Sequence, residues 1–432
     1  MNIQDKLLSK ARMAGAVLLL AFTAAGCGGG TPLAKSVTLT FWNTFETTEN
    51  LQPLFEAYRQ QHPNVQINYV LKNVDTYESD LLNALAAGNG PDIFAINNAW
   101  LPAYLDKITP APATVFNLKD YKTTFVDVAA NDFTKDSKIY GAPMSVDSLA
   151  LYYNKDLLGS AGIATPPKTW DELASQVLRL KRQDRTGYFT QSGVALGTSA
   201  NINRAVDIVY LMMLQQGAIP FLSDNLTAAF DQSVQKNGST AYPGADALTF
   251  YTSFASPSSP HYNWNARSDY SIDAFANGRL AFLYSYSYAR DTILQKAPNL
   301  NFDVAPVPQP NLTDPAVNFA NYWGEVVSKQ SKNSAAAWDF VKFLTSQKSL
   351  DQYYAAHKLP SSRRDLISLQ VTDPDIGTFA NANLTAKSFY KPEAQALDDI
   401  FSKMIDSVVL KGVDPRTAVG QAAQQATALS RQ

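Results

Sequence analysis

The stretch "VTLTFWNTF", Val37 to Phe45, alternates as a strand does, and the segments after it decide the fold. Next comes "ENLQPLFEAYRQQHP" (49–63), which sets Leu51, Leu54, Phe55 and Tyr58 at helical spacing before His62 and Pro63 stop the helix. "VQINYVL" (65–71) reads as a second strand. "TYESDLLNALAAGNGPD" (76–92) reads as a second helix broken at Asn89-Gly90-Pro91, and "DIFAI" (92–96) as a third strand. Strand, helix, strand, helix, strand is the order of a parallel sheet with helices on its faces, because parallel neighbours need a long crossover. The fold class is therefore α/β.

The same rhythm continues through the chain. "IYGAPMSVDSLALYYNKDLL" (139–158) is an apolar run interrupted by Gly141 and Pro143. "TWDELASQVLRLKRQ" (169–183) opens with Thr169 as N-cap and Glu172 at the third helical position, a capping box. Residues 192–222 read as mostly helical, and 223–270, rich in Asn, Ser, Pro and Tyr, as loops around a helix near 244–255. "FDVAPVPQP" (302–310) and "YWGEVVSKQ" (322–330) read as strands, "NSAAAWDFVKFLTSQ" (333–347) as an amphipathic helix, and 392–432 as helical with a break at 412–415. There is no internal repeat.

A chain of 432 residues with 46% hydrophobic content exceeds one compact domain of roughly 100–200 residues, so two lobes are expected. The formal charge of −2, with no long basic run, argues against nucleic acid as a partner. At the start, Lys6, Lys10 and Arg12 precede the apolar run "AGAVLLLAFTAA" (14–25), the pattern of an export signal too short for a comfortable membrane span. Cys27, the only cysteine, comes directly after it at "AAGCGGG" (24–30), which excludes an internal disulfide and thiol metal clusters. This junction resembles a bacterial lipobox, with Ala24 where Leu is favoured; the resemblance implies that Cys27 is lipidated and becomes the mature N-terminus. The other reading is an ordinary signal cut near Ala25. On the lipobox reading residues 1–26 are the signal, 27–36 a flexible tether, and the anchor is lipid rather than charge, because the remaining body is mildly acidic.

The segment "RLAFLYSYSYARD", Arg279 to Asp291, carries tyrosines at 284, 286 and 288. A strand running throughout would put all three on one face as core. A strand ending near Tyr284, with a helix starting near Ser287, moves Tyr288 to the strand exit, where open α/β sheets place ligands.

In their order, "LTFWNTF", "GNGPDIFAINNAWL", "IYGAPMSVDSLALYYNKDLL", "PPKTWDEL", "AFANGRLAFLYSYSYA", "VAPVPQP", "ANYWGEVVSKQSKNSAAAWDFVKFLTS" and "KLPSSR" resemble the extracellular solute-binding proteins of ABC sugar importers, the family that includes the maltose-binding protein. The resemblance runs from about Val37 to the C-terminus. It implies a two-lobed periplasmic-binding-protein fold of type II, with lobes joined by crossing strands and a ligand cleft between them. Carried onto this chain, the crossings fall near Met144–Ser148, Val304–Pro308 and His357–Pro360. The N-lobe is then 37–145 with 308–358, and the C-lobe 146–307 with 359–432.

A sugar needs flat aromatic faces and polar partners for its hydroxyls. Trp42 and Glu46 stand at the exit of the first strand; Trp42 is cleft or core, and Glu46 cleft or helix start. Asn97, Asn98 and Trp100 stand at the exit of the third, although an Asn there also suits a helix cap. Asp92, opening that strand, has a structural role in the family more often than a ligand one. Asp147 lies in the first crossing, where relatives commonly carry an acidic hydroxyl-binding residue. Aligned on the family, Tyr288 takes the place of the aromatic platform, Tyr284 is buried and Tyr286 is undecided, with Ser285 or Ser287 as helix cap. Trp264, in a polar loop, is expected to cover the cleft. Trp323 is the strongest candidate, with Gly324 beside it permitting close backbone approach. Arg363 is a ligand group or a lobe-closing ion pair, and Glu325 is a weaker polar candidate. Tyr152, Tyr153 and Phe401 read as packing.

Scattered His62, His261 and His357, with no H-E-x-x-H, G-x-S-x-G or P-loop, indicate no metal, cofactor or nucleotide site, and the expected binder is not an enzyme. The expected protein is a monomeric, exported, lipid-anchored capture subunit that hands a carbohydrate to membrane permease subunits. The alternatives are an exported glycoside hydrolase, whose two carboxyls would need a separation that sequence does not supply, and a receptor for a small charged solute such as a polyamine.

Overall fold

The computed structural model describes residues 36–236 and 238–431. The signal segment, Cys27 and all of the tether but Ser36 lie outside them. Strand Val37–Asn43 pairs in parallel with Val65–Leu71 on one side and Ile93–Asn97 on the other. The expected alternation of strands and helices is present, with helices Thr48–Gln61 and Tyr77–Ala86 making the crossovers. Strand Trp323–Ser328 extends the sheet antiparallel to Ile93–Asn97, and Ile108–Thr109 and Gly141–Ala142 pair with it in turn. Leu39, Phe41, Ile93, Phe94 and Val326 are removed from solvent with Trp338 and Phe340 from the helix Ser334–Leu344.

A second sheet has the order Phe302–Ala305, Ala150–Asn154, Leu280–Ser285, Phe189–Val194, Arg182–Gln183. Its core holds Tyr152, Phe282, Leu283, Tyr210 and Phe401. Each sheet has its own core, which makes the chain two-lobed. Thr169 caps the helix Trp170–Leu180 by accepting from the Glu172 N–H at 3.2 Å, while the Glu172 carboxylate accepts from the N–H of Lys168. The 192–222 stretch is less helical than its composition suggests. Phe189–Val194 is a strand beside Leu280–Ser285, and the helix is confined to Ala205–Gln216.

Three segments run side by side where the chain passes between lobes. Val146 donates to Pro360 O at 3.3 Å, and Leu149 to Phe319 O at 2.9 Å. Asn321 donates to Asp147 O at 3.0 Å, and isolated bridges join Ser145 to Ser361 and Ser148 to Ala320. Met144–Ser148 lies in this junction, as does Pro360. Val304 and Ala305 instead belong to the second sheet, and the partner of the first crossing is 318–321. The Pro-rich stretch stays with the second lobe because Gln215 donates to Pro308 O and to Val317 O, both at 3.0 Å. After Pro360 the chain returns to the first core through Leu366 and Ile367 before Phe379 enters the second.

Candidate functional site

A cavity of about 540 Å³ opens between the lobes. From the first lobe it takes Phe45 and Glu46 at the exit of the first strand, and Trp323 and Glu325 on the strand beyond Ile93–Asn97 in the same sheet. The second lobe contributes Arg204, Tyr286, Ser287 and Tyr288, and the crossing contributes Asp147. The strand exit is shaped by Asn43, whose side-chain oxygen accepts from the N–H groups of Thr44 and Phe45. That turn leaves the Phe45 ring 53% exposed at the cavity, edge-on to Trp323 with centroids 5.2 Å apart.

The tyrosine ladder divides as the strand ends at Ser285. Tyr284 is buried beside Trp170. Tyr286 is buried, with its hydroxyl donating to Asp207 at 2.8 Å, yet it borders the cavity. Tyr288 is 43% exposed and lies nearly parallel to Tyr286, at 26° and 6.4 Å. Arg204 sits in the left-handed region, φ +60°, immediately before the helix Ala205–Gln216. Its guanidinium lies 5.4 Å from the Tyr286 ring and 5.6 Å from that of Tyr288, and its Nε donates to the Tyr288 hydroxyl. A strained backbone beside two aromatic faces is the kind of feature found at binding sites.

Ser287 is not the expected cap of the helix Ala289–Lys296. Its N–H and hydroxyl both donate to Asp147 Oδ2, at 2.9 and 2.7 Å. Ser285 is buried and accepts from Asn203. Burial pushes the Asp147 carboxyl up to about 7, against the pull of the Ser287 bonds and Arg204. Glu325 is 4% exposed on its strand, and burial pushes it up to about 8, with backbone donors opposing and Glu46 adding to the rise. Asp147 Oδ1 and Glu325 Oε2 are buried without a hydrogen-bond partner.

This interlobe cavity accompanies a match to the bacterial extracellular solute-binding proteins over residues 44–350. The chain belongs to that family. A binding protein of Brucella abortus is 25% identical over 398 residues, 87% of this chain and 90% of that one. The maltotriose-binding protein of Pyrococcus abyssi is 22% identical over 359 residues, 82% of this chain and 70% of that one. In fold, the sugar-binding protein MalE of Xanthomonas citri superposes with a TM-score of 0.75 at 22% identity, covering 91% of this chain and 97% of the other.

In this solute-binding protein the cavity gathers Glu46, Asp147, Tyr286, Tyr288, Trp323 and the weaker candidate Glu325 of the residues singled out from sequence. Asn97 and Trp100 stand behind it. Asn97 donates to Asn321 at 2.8 Å and caps the turn that carries Trp100, and Trp100 meets Trp323 edge to face. Asn98 borders a second hollow of about 410 Å³, donating to Asp132 at 2.8 Å and accepting from the N–H of Tyr322. Asp132 also accepts from the Tyr322 hydroxyl and from Ser388, while burial raises it to about 6. Asp92 is structural, accepting from Thr40 N–H and Ser331.

Four expectations are corrected. Trp42 lies on the pleat face opposite Phe41 and Asn43, under the Lys72 ammonium at 4.3 Å. Trp264 is 1% exposed in the second core, with its indole N–H donating to Asn201, so its polar loop covers it rather than the cleft. Gly324 does admit a close approach, but of the Phe133 ring, which a Cβ would meet at 2.5 Å. Arg363 pairs with its near neighbour Asp365 at 2.8 Å and donates to Thr345 O, outside the cavity. Arg204, Asn321 and Tyr353 line the cavity unanticipated. Only Arg204 left a trace in the sequence, as a cation at a helix start where the macrodipole disfavours it.

Among the described residues no helix is long and apolar enough to cross a membrane, and no cluster of His, Cys, Asp and Glu suits a metal.

Proposed function

We propose that this solute-binding protein captures a mono- or oligosaccharide in the interlobe cavity and delivers it to the permease subunits of an ABC importer. One observation carries the reading: aromatic rings from opposite lobes, Trp323 on one side and Tyr286 and Tyr288 on the other, line the same cavity as carboxyl acceptors. Flat faces suit the C–H faces of a sugar ring, and carboxylates suit its hydroxyls. Glu46, Asp147, Tyr286, Tyr288 and Trp323 are the ligand groups, joined by Arg204 and Glu325, with Asn97 and Trp100 acting from behind. Support also comes from the names of relatives, which bind maltotriose in one case and multiple sugars in another. Closure of the lobes over the solute would rotate the three adjacent crossing segments.

The division of lobes we propose keeps 306–317 with the second lobe, where Gln215 holds it, and the helix Arg364–Gln370 with the first. Cys27 is the lipid anchor on the outer face of the membrane, the body is a monomer, and the cleft breaks no bond. Isothermal calorimetry with tagatose, maltose, mannotriose and maltotetraose, with product analysis on the same samples, tests the reading. Heat with a saccharide and no cleavage supports capture. Cleaved product points to a glycosidase, and heat with a polyamine alone removes the saccharide.

A further inference from the structure

Three carboxyl side chains line the cavity, those of Glu46, Asp147 and Glu325, against a single cation, Arg204. Arg204 is engaged by Tyr288 and by the charge of Asp207, stands over both tyrosine rings, and is also a partial counter-charge for Asp147, so Glu325 is the carboxyl that faces no cation. Glu46 accepts from Asn50 at 3.2 Å. The other two carboxyls each keep one buried oxygen without a well-formed hydrogen bond, Asp147 Oδ1 and Glu325 Oε2, although the N–H groups of Ser148 and Met144 lie near the two carboxyls and favour their ionised forms. An unsatisfied buried acceptor costs roughly 1–3 kcal/mol, and more when charged, so two of them in one cavity call for a role.

The surroundings of Glu325 narrow that role. The ionisable groups that interact with it are Glu46, ahead of the first helix, and the phenols of Tyr69, Tyr77, Tyr121 and Tyr353 from four other elements. Every one is neutral or negative. A hydroxyl from a neutral sugar bonds the protonated carboxyl without releasing its proton, and it gives the ionised form no counter-ion. A side-chain amide would accept that hydroxyl at a smaller desolvation cost. An ammonium supplies both donors and the opposite charge.

We propose that the solute is a saccharide bearing a protonated amine, received by Glu325 and Asp147. The inference rests on the saccharide reading and narrows it to a class. The suppressed ionisation of both carboxyls fits an empty cleft in which they hold protons until a cation takes their place. Binding of the amine then releases protons to solvent.

The test uses matched sets on the full chain at about pH 6, well below the ordinary range of an amine, because neighbouring sugar oxygens lower its basicity: glucosamine, N-acetylglucosamine and glucose; the corresponding galactose and mannose sets; and chitosan disaccharide, diacetylchitobiose and cellobiose. The expected result is an aminated member bound at least tenfold tighter than both of its uncharged counterparts. Its heat should change with the ionisation enthalpy of the buffer, as proton release requires. Glu325→Gln should abolish the preference with circular dichroism unchanged, and Asp147→Asn serves in its place if the first variant misfolds. An uncharged sugar bound as tightly as its amine, or a preference untouched by both variants, overturns the proposal and leaves saccharide capture standing. A panel with no saccharide bound in any form ends both.

Discussion

Trp100 and Trp323 meet edge to face, with ring centroids 4.9 Å apart and planes at 69°. Trp323 is in the cavity wall and Trp100 is behind it, stacked in turn on Tyr104 at 5.7 Å, while Tyr77 tilts against Trp323 at 5.9 Å. A platform for a sugar face is useful only if its plane is held before the ligand arrives, because ordering a loose ring on binding costs affinity. This stack holds it.

The two tryptophans should therefore respond differently to truncation. Trp323→Ala removes the platform and is expected to weaken saccharide binding by about 2 kcal/mol, roughly thirtyfold. Trp100→Ala removes only the edge contact, about 0.5–1.5 kcal/mol, and should cost roughly two- to tenfold. Trp42→Ala, outside the cavity, should leave affinity unchanged. Calorimetric titration of the three variants checks the ranking, and a loss from Trp100→Ala equal to that from Trp323→Ala would mean that Trp100 touches the solute itself.

Asn383 is a second pivot, buried where the crossings meet. Its amide donates to Val146 O at 2.6 Å and to Ser361 O at 3.1 Å, and its oxygen accepts from the Ser148 hydroxyl at 2.7 Å. Asn383→Ala leaves three buried polar groups without this partner and should lower stability by about 2–4 kcal/mol in denaturant titration. Asn383→Asp keeps the acceptor but loses both donors, so it should fare no better than Ala. Rescue by Asp would assign the stability to Ser148 alone.

The first sheet was legible because its periodicities are unambiguous: a period of two at Val37–Asn43, a helical one at Leu51–Tyr58, and breakers at each junction. Trp323 and Asp147 were legible by position along a recognised order of segments. A lone carboxyl within "WGEVV" carries no periodic signal of whether Glu325 faces core or cleft. Trp264 misled for the opposite reason, since a polar loop hides a core anchor whenever the chain folds back over it. Tyr353 comes to the cavity from a distant element with no local pattern to announce it, and Arg204 offers only its unfavourable place at a helix start. The third crossing was harder still, because the chain re-enters the first core at Leu366 and Ile367 after touching the junction.

Gly324 offers a test of packing next to the site. A Cβ there would lie 2.5 Å from the Phe133 ring, and Val326 beyond it belongs to the same core. Gly324→Ala should destabilise by about 1–3 kcal/mol through overpacking. The double variant Gly324→Ala with Phe133→Leu should recover part of that loss, because the clash is with the ring. Thermal melts of the single and double variants measure the coupling, and purely additive losses would place the strain elsewhere.

The buried acids tie stability to pH. Burial raises Glu325 to about 8, Asp147 to about 7 and Asp132 to about 6. In each case the folded chain keeps a proton that the unfolded chain has already lost, so the folded state binds more protons between the ordinary carboxylate range and these values. The stability they contribute is therefore full at low pH and declines as pH rises through the window from about 4 to about 8. One pKa unit corresponds to about 1.4 kcal/mol, so Glu325 alone should account for a few kcal/mol of the fall in the ligand-free protein. Urea titrations from about pH 5 to pH 9 should show that decline in the unmodified chain and a flatter profile in Glu325→Gln, whose amide holds no titrating proton. The two profiles should lie closest at the acidic end and diverge steadily as pH rises from about 5 towards about 8. Parallel profiles across the whole range would mean that Glu325 ionises as an ordinary surface carboxylate.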